Sequence, residues 1–113
     1  MEGRLMDNAF SPAWSSTTEV TNATSATAAV VLPKDRDGVL LTNTSVTARV
    51  HVMLTNYESE ATVPTGTAPT TSNGVPVQPG GQVRIYVGSG NKVLRTIATA
   101  ADGVLLITPG TGI

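Results

Sequence analysis

Two stretches of strict alternation, residues 48–54 and 82–87, constrain this chain more than any other feature. In the first, Val50, Val52 and Leu54 fall on one side and Arg49, His51 and Met53 on the other; in the second, Val83, Ile85 and Val87 alternate with Gln82, Arg84 and Tyr86. A period of two is that of a strand with one face against a core, whereas the apolar positions of a helix recur every three or four residues. The remaining apolar runs are as short as strands and are punctuated by turn residues. Residues 26–32 read as a strand ended by Pro33, and Lys34-Asp35-Arg36-Asp37-Gly38 as a charged turn leading to a second strand, 39–43. Asn43-Thr44-Ser45 is the next turn.

The second half follows the same local grammar. In 75–77 Pro76 has no N–H to donate, so this strand belongs at a sheet edge or at the start of a pairing. Gln78-Pro79-Gly80-Gly81 carries the Pro-Gly signature of a type II turn, and Gly88-Ser89-Gly90-Asn91 is a further turn. Strands 94–99 and 103–108 are joined by Ala100-Ala101-Asp102-Gly103, whose Asp-Gly pair predicts a hairpin. Pro109-Gly110-Thr111-Gly112 then ends the chain. About seven short strands with no helical pattern predict an all-β fold, a small antiparallel β-sandwich or jelly-roll-like domain. A length of 113 residues fits one domain of this kind.

Residues 1–24 lack sustained periodicity and read as an extended N-terminal arm; residues 25–113 form the sandwich, with a long loop at 55–73. The arm holds Phe10 and Trp14, two of the four aromatic residues, the others being Tyr57 and Tyr86. Large apolar side chains on an arm are costly unless they dock, either on the protein's own sheet or on a neighbouring subunit. With so few aromatics the core must be built from Val, Leu, Ile and Ala, each contributing about 1.5–3 kcal/mol when fully buried. Stability gained from neighbouring chains would supplement such a core.

Composition narrows the function classes. Cys 0 excludes a disulfide scaffold, a thiol nucleophile and sulfur-ligated metal centres. A net charge of −1 with scattered basic residues leaves no footprint for nucleic acid. No apolar run approaches the roughly 18 residues that span a bilayer, so no membrane partner is expected. Glu2 and Asp7 near Arg4 do not match the layout of a cleaved export signal.

Catalytic constellations are equally scarce. The single His51 has no Gly-x-Ser-x-Gly elbow to work with. Asp35 with Asp37, and Glu58 with Glu60, are the close acidic pairs, and neither has the spacing of a calcium-binding loop. Gly88-Ser89-Gly90-Asn91-Lys92 lacks the Gly-Lys-Ser/Thr ending of a phosphate cradle and precedes a strand. Asn22-Ala23-Thr24 and Asn43-Thr44-Ser45 match the glycosylation acceptor, as chance allows in a chain rich in Ser and Thr. The expectation is a protein that is not an enzyme and needs no cofactor. Outward Arg49, His51, Arg84 and Tyr86 form a candidate protein-contact face if their strands share a sheet, because Arg and Tyr are enriched at protein interfaces. Phe10 and Trp14 are candidate anchors of the arm, and Tyr57 a candidate contact in the long loop.

From residue 38 to residue 113, the order of a strand of the Ala48-Arg49-Val50-His51-Val52 kind, a Gln78-Pro79-Gly80-Gly81 turn, Val83-Arg84-Ile85-Tyr86-Val87 and a final Thr108-Pro109-Gly110-Thr111-Gly112-Ile113 resembles small virion proteins of tailed bacteriophages. The long loop departs from their compact pattern. The resemblance implies a capsid decoration (cement) protein or, as a close variant, a head-spike base. Such a protein is made in the bacterial cytoplasm and binds major capsid protein on the outside of the head, as a dimer or trimer on an icosahedral lattice, holding the shell against internal DNA pressure. Deleting residues 1–24 is then expected to abolish head binding and leave a folded domain. The competing readings are a carbohydrate-binding or adhesion module of a fibre or spike, with Tyr57 in its site, and a tail or connector component.

Overall fold

The computed structural model describes residues 11–13, 16–57, 66–88 and 90–111, which form nine strands and no helix. In chain order these are β1 (Ser11–Pro12), β2 (Thr18–Thr21), β3 (Val30–Val31), β4 (Gly38–Asn43), β5 (Val50–Asn56), β6 (Val75–Val77), β7 (Gln82–Tyr86), β8 (Lys92–Ala98) and β9 (Val104–Thr111). Every strand expected from the sequence is present. The two that were not expected, β1 and β2, lie in the segment read as an arm.

The pairing is nested. Antiparallel ladders join β2 to β9, β3 to β8, β4 to β7 and β5 to β6. The first half of the chain thus runs against the second half as one long hairpin whose closed end is the loop between β5 and β6. Winding this ribbon on itself adds the ladders β4 to β9 and β5 to β8. The result is two facing sheets: β2-β9-β4-β7, with β1 continuing the β2 side, and β3-β8-β5-β6. This is the jelly-roll arrangement.

Alternate residues of the two sheets meet between them. Val39 and Leu41 of β4, Val50 and Val52 of β5, Leu94 and Ala98 of β8, and Leu105 and Ile107 of β9 are buried in one aliphatic cluster with Val77 of β6. The period-two strands therefore put the expected residues inward. Val83 and Ile85 of β7 face the same core but are only half-buried, because β7 ends its sheet.

Winding overturns one local expectation. The Asp102-Gly103 corner is not a β-hairpin: β8 and β9 lie in different sheets, and the chain crosses the sandwich between them. The Gln78–Gly81 segment does form the expected type II turn, with Gly80 at φ 71° and Gly81 N–H donating to Gln78 O at 2.9 Å. Pro76 likewise sits on an edge strand, as its missing donor requires.

The last strand runs further than its proline implied, to Thr111. A residue in a strand turns its N–H and C=O to the same side. Pro109 O accepts Ala13 N–H at 2.8 Å, so the nitrogen without a hydrogen faces the break between β1 and β2, where no ladder bond is lost. The boundary between arm and domain is corrected too: β2 is an integral strand of the sandwich, with Val20 packed against the core. Its single apolar residue, in Thr18-Glu19-Val20-Thr21, is why alternation gave no signal there.

Candidate contact surface

The two outer faces of the sandwich differ in what covers them. On the β3-β8-β5-β6 sheet, His51, Met53 and Thr55 of β5 and Val93, Arg95 and Ile97 of β8 point away from the core, as the registers His51↔Ile97, Met53↔Arg95 and Thr55↔Val93 require. Val93 is nevertheless wholly buried and His51 is only 6% exposed. The cover is the end of the protein's own long loop.

Residues 66–73 lie back across this face. A Cβ on Gly66 would stand 2.5 Å from Thr55 Oγ1 and 2.8 Å from a Val93 methyl, so the backbone can approach only without a side chain. Arg95 also reaches this stretch: its Nε donates to Thr27 O at 2.9 Å, and its Nη1 donates to Gly66 O of the loop at 3.4 Å. His51 closes the far end. Its Nε2 accepts Arg49 Nε–H at 2.8 Å, which places the ring hydrogen on Nδ1, and Nδ1–H donates to Asn73 O at 2.8 Å. Both ring nitrogens are engaged, Nδ1 by the loop and Nε2 by Arg49.

This geometry changes the expected contact face. Arg49 and His51 belong to the sheet covered by the loop, whereas Arg84 and Tyr86 stand on β7 of the other sheet. The four residues are not brought together, because matching outward phase does not assign strands to a common sheet. Arg49 and His51 are internal fasteners. Tyr57 is half-buried beside the end of β5, with its N–H donating to Asn91 O at 3.2 Å. Phe10 and Trp14, and the pair Glu58 and Glu60, lie outside the described residues.

The outer face of the β2-β9-β4-β7 sheet is the contrasting surface. Registers place Glu19, Leu106, Thr42 and Gln82 in one row, Thr108, Leu40 and Arg84 in the next, and Tyr86 beyond them. Its centre carries half-buried Leu40, Val104 and Leu106 among threonines, with hydrogen bonds between Thr17 and Thr108 (2.9 Å) and from Gln82 Nε2 to Thr42 Oγ1 (3.1 Å). Its charged side chains, Glu19 and Arg84, stand at opposite edges. Tyr86 is 63% exposed.

A third arrangement, at one end of the sandwich, escaped sequence reasoning. Asp102 Oδ2 accepts Ser45 Oγ–H (2.6 Å), Val46 N–H (3.1 Å), Thr47 N–H (3.0 Å) and Thr47 Oγ1–H (2.9 Å). The Ser45 hydroxyl, then the amide and hydroxyl of Thr47, pull the Asp102 carboxyl down from 3.8 to about 2. Behind it, buried Asn43 donates to Ala48 O, Val77 O and Gln78 O, while its Oδ1 accepts Ser45 N–H and Asn22 Nδ2–H. Asn22 and Asn43, which looked like chance glycosylation matches, are structural amides at 1% exposure. This network fixes the corners that cross between sheets, and its members are too far apart in sequence to have signalled it.

Among the described residues no cluster of three or more His, Cys, Asp or Glu side chains is placed to hold a metal ion, and no helix is long and apolar enough to cross a membrane. No family model, curated protein or solved structure matches the chain.

Proposed function

We propose that this protein is a structural component of a tailed-bacteriophage virion, a decoration protein that docks on the outer surface of the head and stabilises it. The observation that carries the docking part is the difference between the two outer faces. One is occupied by the chain's own 66–73 segment; the other is uncharged at its centre, apolar in part and without a described loop across it. A broad, weakly charged sheet face with Tyr and Arg at its rim suits contact with another protein. The virion assignment rests on the resemblance of residues 38–113 described above.

On this reading the partner is major capsid protein, and neighbouring copies on the lattice supplement an aliphatic core of modest size. Arg84 and Tyr86 remain candidate contacts, joined by Leu40 and Leu106 of the adjoining strands. The test is to mix purified protein with heads that lack it, image the particles by cryo-electron microscopy and measure pressure-induced DNA loss. Ordered density on the outer shell and slower loss are expected, and Leu40→Glu should reduce occupancy. Density confined to the tail, or binding to a glycan array with none to heads, would overturn the assignment.

A further inference from the structure

Edges are where a β-sandwich offers unpaired backbone groups to another chain. The described strands leave edges at β3, at β6, at β7 and along β1 and β2. Three of them are blunted. β3 has two residues, β6 has three with a proline in the middle, and the β1–β2 line is broken between them. β7 is different: five residues without proline, in unbroken register with β4 from Gly38↔Tyr86 to Thr42↔Gln82.

The phase of that ladder identifies the unpaired groups. Val87 N–H donates to Asp37 O at 2.8 Å and Asn43 N–H to Gly81 O at 3.0 Å. Residues 81, 83, 85 and 87 therefore turn their N–H and C=O toward β4, while Gln82, Arg84 and Tyr86 turn theirs away from the sheet. Arg84 stands at the centre of this edge and makes no hydrogen bond or ion pair with any described residue.

We propose that β7 is a strand-addition site, which an extended segment of the partner protein joins as a further strand with a carboxylate set against Arg84. Charge complementarity selects this occupant. A second copy pairing antiparallel through the same strand would oppose two Arg84 guanidiniums, and like charges directly across a ladder are destabilising. Half-buried Val83 and Ile85 set the rest of the pattern: residues of the added strand that face inward extend the core and are apolar. The recognised segment thus alternates apolar residues with polar ones, an acid being central among the polar positions. This names how the partner proposed above is held, and so rests on that reading.

The test uses the full chain and two synthetic peptides of about seven residues, near the usual strand length, with Val at alternate positions and either Glu or Lys at the centre. The Glu peptide should slow amide exchange at Gln82, Arg84 and Tyr86 and bind on the order of tenfold more tightly than the Lys peptide. Arg84→Glu should invert that preference. Arg84→Pro removes an N–H that points away from β4, so it should abolish protection at this edge while the core amides stay protected; if it fails to fold, the inversion by Arg84→Glu still decides. Equal binding of both peptides, protection at β3 or β6 instead, no slowing at millimolar peptide, or dimerisation through β7 would each overturn the site. Because the peptides need no virion, failure here with intact head binding overturns the edge alone, and failure of head binding leaves the peptide result standing.

Discussion

The carboxylate of Asp102 accepts the hydroxyl of Ser45 at 2.6 Å across 57 positions of sequence, and so ties the β8–β9 corner to the β4–β5 corner. Both corners carry the chain from one sheet to the other, and the single oxygen Oδ2 also gathers the two amides and the hydroxyl that follow Ser45. Because the folded state holds this carboxyl at about 2, below its value of 3.8 when unfolded, its contribution is present above pH 4 and is lost as pH falls from there toward 2. Thermal unfolding followed from pH 6 to pH 2 should show stability falling in that window. Asp102→Asn should be less stable at pH 6 and flatter below pH 4; an unchanged slope would remove Asp102 from the account.

Gly103 tests the same corner by sterics. Its φ is +74°, and a Cβ there would stand 2.8 Å from Ser45 Cα and 2.9 Å from Ser45 N. Gly103→Ala therefore combines left-handed strain, about 1–3 kcal/mol, with a backbone clash. Gly80→Ala has a similar φ of +71° but nothing within 4 Å, and serves as the control. Urea unfolding should show the larger loss for Gly103→Ala; equal losses would mean that the corner relaxes freely.

Asn43 is the hub of the buried network, donating to the carbonyl of Ala48 and to those of the adjacent Val77 and Gln78. Asn43→Ala leaves buried acceptors without donors and should cost at least about 2 kcal/mol, since each orphaned buried group costs roughly 1–3 kcal/mol. Equilibrium unfolding measures this directly, and a loss below the range for a surface change would contradict the burial of the network.

Loop docking can be separated from core stability. His51→Ala removes the Asn73 contact and Gly66→Ala forces the loop backbone away from Val93. Both should raise hydrogen exchange and proteolytic cutting in 66–73 while the β4 and β9 amides stay protected. Cutting that remains as slow as in the wild type would show that other contacts hold the loop.

Truncation is the sharpest check on the N-terminal segment. Deleting residues 1–24 takes away β1 and β2, leaving β9 as a bare edge with Val20 missing from the core. The truncated chain should aggregate or unfold, in contrast to the sequence-based expectation of an intact domain. Gel filtration and circular dichroism distinguish the two outcomes.

How much was legible follows from the range of each signal. Alternation located β5 and β7 and assigned their inward residues, and Pro76 placed β6 at an edge, because pleat and donor chemistry are properties of neighbouring residues. β2 was hidden because one valine makes no pattern and its stability comes from β9. Arg49 and His51 were rightly placed on an outward face, yet nothing local says that residues 66–73 return to cover it. The hairpin reading of Asp102-Gly103 failed for a related reason: the turn chemistry was recognised, but the sheet to which each flanking strand belongs is chosen elsewhere.

By itself, then, the sequence determined an all-β chain with short strands, an aliphatic core and turns at Gly and Pro, since these depend on backbone sterics and side-chain period. Tertiary structure alone decided the partners of each strand, the covering of one face, the place of β7 at the end of its sheet among the described strands and the meeting of Asp102 with Ser45. Those outcomes require the nested ribbon to be wound, and winding is driven by burial of residues distant in sequence, for which no local pattern exists.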